Sequence, residues 1–65
     1  MNSSNDLAEL RRLVKEADAR IAAQLDTIER MKRSGSSTKD AEHALRGLRR
    51  AAAALHGRLK ILTAA

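Results

Sequence analysis

Sixty-five residues with no Cys, Trp, Tyr, Phe or Pro and a formal charge of +5 make one small domain with an aliphatic core. The lack of cysteine excludes disulfides, thiolate zinc sites and thiol catalysis, so oligomerisation is the support left to so short a chain. No stretch approaches the roughly 18 apolar residues of a membrane span and the start, MNSSND, has no signal-peptide core; the expectation is a cytoplasmic protein with no membrane contact.

Ser3 or Ser4 is the natural cap of a first helix, with Asp6 suited to its first turn. From Leu7 the apolar residues step by three and four in a sustained heptad. Leu7, Val14, Ile21 and Ile28 take position a, and Leu10, Ala17, Gln24 and Met31 position d. Leu13 and Leu25 flank the seam and widen it to the face of a bundle helix. The spacing predicts a helix over about 5–33. Past it, RSGSSTKD holds a stop and a start in the right order. Gly35 suits the left-handed residue after a helix that ends in Lys32 and Arg33. Ser37 can cap a second helix, with Asp40 three residues on. The inter-helix turn is thus expected at 34–37.

A second heptad runs through Ala41, Leu45, Leu48, Ala52, Leu55, Leu59 and Leu62, giving a helix over about 38–63. At 1.5 Å per residue the two helices span roughly 43 and 39 Å, so they match when folded back on each other. The expected layers pair Ile28 with Leu45, Gln24 with Leu48, Ile21 with Ala52, Ala17 with Leu55, Val14 with Leu59 and Leu10 with Leu62. The fold class is all-α, a single-domain antiparallel hairpin; one long helix bridging Gly35 is the alternative. A lone hairpin leaves both widened stripes, Leu13 and Leu25 included, half exposed. A second copy completing a four-helix bundle is the simplest remedy, so a homodimer is expected.

Chemistry is sparse. Gln24, the polar residue of the first seam, suits register-setting, with a buried ligand as the alternative. His43 and His56 lack the spacing of metal ligands, and His56 is expected near Glu16 and Asp18. Four of the eight acids have cationic partners four residues on: Glu16 and Arg20, Asp26 and Arg30, Glu29 and Arg33, Glu42 and Arg46. No carboxylate pair stands apart as acid and base, no Ser has a triad around it, and Gly35, Gly47 and Gly57 are isolated. Neither an enzyme nor a cofactor or metal is expected.

The acids stop at Glu42, so the chain beyond it is purely basic. His43, Arg46, Arg50 and Lys60 fall on the outward face of the second helix, with Arg49 and Arg58 at its margins. Such a stripe suits an acidic protein partner or the phosphates of RNA or DNA. Against nucleic acid, the chain has no aromatic platform for bases. Function is therefore read as an interaction protein, with a small nucleic-acid-binding regulator as the alternative.

Residues 17–62 resemble a group of small proteins common in rhizobia and related alphaproteobacteria. The pattern runs A-D-x-H-[IV]-A, Q-x-x-x-I, a glycine turn, A-E-x-L-L and H-R-x-x-I-L. Ala17, Asp18, Ile21, Ala22, Gln24, Ile28, Gly35, Thr38, Ala41, Glu42, Arg58, Ile61 and Leu62 match it. Arg20 and Gly57 stand where that pattern tends to have histidine. The resemblance implies a helical hairpin and no activity. The two-helix plan is also similar to the Rop family of plasmid copy-number regulators, hairpin dimers that bind paired RNA loops; this likeness is of architecture, which does not confer function.

Overall fold

Two heptad runs separated by a glycine turn become two helices lying against each other. The computed structural model describes residues 3–64, with side chains from residue 5 onward. α1 spans Ser3–Arg33 and α2 spans Lys39–Thr63, and together they form a hairpin 50 × 18 × 14 Å. α1 starts two residues before the expected boundary, where capping by Ser3 or Ser4 falls outside the described side chains.

The turn closes α1 by a Schellman motif. Gly35 sits at φ 76°, its N–H donating to Lys32 O at 3.2 Å, while Ser36 N–H donates to Met31 O at 2.9 Å. Lys32 and Arg33 stand beside the negative end of the helix. The turn runs one residue longer than expected, over 34–38, and the cap passes from Ser37 to Thr38. Thr38 (φ −101°, ψ 4°) is already turned toward helical backbone, so its hydroxyl caps no N–H and instead donates to Glu42 Oε1 at 3.1 Å. Ser37 Oγ accepts a long 3.4 Å bond from Lys39 N–H.

Leu10, Val14, Ile28, Leu45 and Ala52 are the buried residues of the core, all of them seam positions. Leu13, Ile21, Gln24, Leu48, Leu55 and Leu59 are half-buried. Leu25 and Leu62, expected in the packed set, are 40% and 58% exposed in the single hairpin. Leu25 flanks the seam rather than lying in it. Leu62 lies at the open end, where it lines a groove.

The helices meet in a register one layer away from the expected one. Gln24 Nε2 donates to the carbonyl of Ala41 at 2.9 Å. With Gln24 level with Leu48, Ala41 would lie seven residues further on, about 10 Å along the axis and beyond the reach of a glutamine. The groove linings agree, placing Leu13, Ala17 and Arg20 beside Leu48, Ala51 and Leu55. The layers therefore pair Gln24 with Leu45, Ile21 with Leu48, Ala17 with Ala52, Val14 with Leu55 and Leu10 with Leu59. At mid-length this register sets two alanines in one layer, in place of the large-with-small pairing expected at Ala52.

Candidate interaction surfaces

The hairpin has three distinct surfaces. One flank is polar and bridged, because seam-flanking residues of both helices carry charge there. His56 Nε2 lies 2.9 Å from Asp18 Oδ1 and 3.1 Å from Oδ2, tying the helices together. The expected neighbourhood of His56 and Asp18 survives the shift of register, because each side chain leans toward its own helix N-terminus and the two converge. Both groups are about half exposed, so the pair is solvated.

The opposite flank is apolar. A groove of about 450 Å³ opens between Leu10 and Leu13 on α1 and Ile61 and Leu62 on α2, with Asp6, Glu9 and Arg58 at its rim. A shallower one of about 160 Å³ continues past Leu13 to Ala17, Leu48, Ala51 and Leu55, edged by Glu16 and Arg20. Leu13 belongs to both, so they form one continuous trough. The heptads did not place Ile61 at the groove, although it matches the H-R-x-x-I-L pattern; it is 76% exposed, an isoleucine outside the heptad positions.

The third surface is the outward face of α2. Arg46, Arg49, Arg50, Arg58 and Lys60 are all exposed. No carboxylate lies in an ion pair with any of them among the described residues, while Arg46 meets His43 Nδ1 at 3.4 Å. The expected Glu42 to Arg46 pair is replaced because Glu42 turns to Thr38.

Three of the acids of α1, Glu9, Glu16 and Asp26, pair within the helix. Asp26 meets Arg30 at 3.6 Å as expected, but Glu16 takes Arg12 at 2.6 Å rather than Arg20. Arg12 also grips Glu9, with Nε donating at 3.1 Å to Oε2, and this fork holds the Glu9 carboxyl below its ordinary value while raising the Arg12 guanidinium. Arg20 and Arg33 have no ion-pair partner among the described residues.

Among the described residues no three His, Asp or Glu side chains gather as a metal would need, and no helix is long and apolar enough to cross a membrane. Gln24 faces a backbone carbonyl rather than a cavity. No family model, curated protein or solved structure matches the chain.

Proposed function

We propose that the protein is an interaction module, a homodimeric four-helix bundle of the cytoplasm that presents the basic face of α2 to an acidic partner protein. The observation that carries this reading is the poor coverage of the single hairpin. It exposes 5129 Å², whereas a folded chain of its 7.1 kDa exposes about 4,100 Å². A second copy supplies the missing burial, and the outward cations of α2, Arg46, Arg50 and Lys60, stay free for a partner. The helical-hairpin proteins of rhizobia that residues 17–62 resemble are proposed as kin and lend the reading no activity.

A second reading follows from the same unpaired cations: a dimer displays the row of Arg46, Arg50 and Lys60 twice, as a nucleic-acid-binding regulator would. Sedimentation equilibrium with circular dichroism tests the first element; a helical species at twice the 7.1 kDa chain mass supports it, and a stable helical monomer overturns it. A pull-down with and without nuclease separates the partners. Retention after nuclease supports the acidic protein, and loss supports nucleic acid.

A further inference from the structure

Resting on the homodimer reading above, we infer that a second copy of this chain docks on the apolar trough centred on Leu13 and Ala51, head to tail, so that the hairpin turns lie at opposite ends of the bundle. The choice of face follows from what each flank exposes. The flank carrying Asp18 and His56 is bridged by that pair, and Leu25, one heptad after Asp18, is the lone exposed leucine on it among the described residues. The trough flank is lined by half-buried leucines, and beside it α2 presents Ala44, Gly47, Ala51 and Ala54, all small and all exposed. A Cβ at Gly47 would meet nothing within 4 Å. The hairpin itself therefore does not require a glycine there, although glycine inside a helix costs about 0.5–1 kcal/mol relative to alanine. A neighbouring helix approaching this stripe would use the missing side chain.

Size fits as well. A face 50 Å long and 18 Å wide covers about 900 Å², close to the roughly 800 Å² that each partner of a standard stable interface contributes.

Charge sets the direction. Glu16 and Arg20 edge the same groove just to either side of mid-length, the level of Ala51. A two-fold axis crossing the hairpins at that level brings α1 against α1 of the other copy in opposite directions. Glu16 then faces Arg20 of the second copy, twice by symmetry. Asp6 and Glu9 approach the last turn of the other α1, with Arg30, Lys32 and Arg33. With the turns at the same end, Arg20 would face the middle of α2 instead. No acid follows Glu42 in α2, and the trough side there offers only Leu48, Ala51 and Leu55, so Arg20 would gain no carboxylate. Arg20, unpaired within the hairpin among the described residues, obtains a carboxylate in the head-to-tail arrangement.

The chain has no cysteine, so single-thiol variants of the full chain test face and direction together. Ala51 and Ala53 stand at the same level on opposite flanks and both are exposed, so neither replacement disturbs the hairpin. Under mild oxidation Ala51→Cys should form a disulfide-linked dimer and Ala53→Cys should not. Glu16→Arg and Arg20→Glu should each weaken dimerisation by about tenfold, and the double variant should restore it. Equal crosslinking of the two cysteine variants, preferential crosslinking of Ala53→Cys, or failure of the double variant to recover, in a wild-type chain that does sediment as a dimer, overturns this geometry while the homodimer stands. A wild-type chain that sediments as a monomer removes the homodimer reading and this inference with it.

Discussion

The Gln24 carboxamide donates to the main-chain carbonyl of Ala41 across the hairpin, a 2.9 Å bond between residues seventeen apart in sequence. It is the direct side-chain-to-backbone tie between the helices among the described residues, and it fixes their axial offset. Gln24→Ala should lower stability by about 1 kcal/mol, the usual net worth of such a bond plus some lost packing. Gln24→Leu should leave the midpoint unchanged or raised, since the Ala41 carbonyl is near the start of α2 and keeps its place in the helix. Urea titrations followed by circular dichroism read both. Equal loss in the two variants would show that the hydrogen bond, rather than filled volume, matters at this position.

Ala52 is a small residue buried in the seam, 4% exposed, in the layer shared with Ala17. There is no room for a larger side chain without pushing the helices apart, and overpacking a tight core costs typically about 1–3 kcal/mol. Ala52→Leu should fall in that range. Its exposed neighbour Ala53 provides the contrast, and Ala53→Leu should change stability by less than about 0.5 kcal/mol. Thermal unfolding at matched protein concentration distinguishes them.

The two helices and their turn were legible in the sequence because each rested on a local signal: unbroken heptads, and Gly35 behind a basic last turn. The register was not. Two pairings of these heptads differ by one layer, and both bring seam residues together along the whole length. The choice turns on Gln24, which in one register faces Leu48 and in the other reaches a carbonyl, and on a turn one residue longer than the Ser37 cap implied. The apolar trough was legible only in part. Leu13 marked it as a widened seam, but Ile61 lies outside the heptad, so the seam pattern did not place it at the groove it lines. The exposed row from Arg46 to Lys60 followed directly from helical spacing and from the end of the acids at Glu42.

Glycines in this chain make opposite demands. Gly35 holds a positive φ of 76°, where a Cβ costs about 1–2 kcal/mol. Gly35→Ala should destabilise the hairpin by about that amount although no atom lies within 4 Å of the added methyl. Gly57 is helical with equally open surroundings, on the outward face of α2. Gly57→Ala should therefore stabilise by about 0.5–1 kcal/mol through helix propensity alone. Opposite signs in paired thermal melts are the expected result, and two shifts of the same sign would contradict the assignment of Gly35 to the left-handed turn.

Arg12 couples Glu9 and Glu16 on the exposed surface of α1, and its effect should be visible in the pH dependence of helicity. The fork from Arg12 lowers the Glu9 carboxyl below its ordinary value of 4.5, chiefly by hydrogen bonding. A carboxyl that binds protons less readily folded than unfolded stabilises the fold fully above the ordinary value. That contribution fades as pH falls through the lowered one. Loss should therefore begin below about pH 4.5, and Arg12→Gln should return the Glu9 titration toward its ordinary position. Because both partners are fully solvated, the difference should shrink in high salt as the charges are screened. Carboxyl chemical shifts of Glu9 followed against pH, in wild type and Arg12→Gln, measure the effect directly. Identical titration curves for the two proteins would show that the Arg12 fork does not persist in solution.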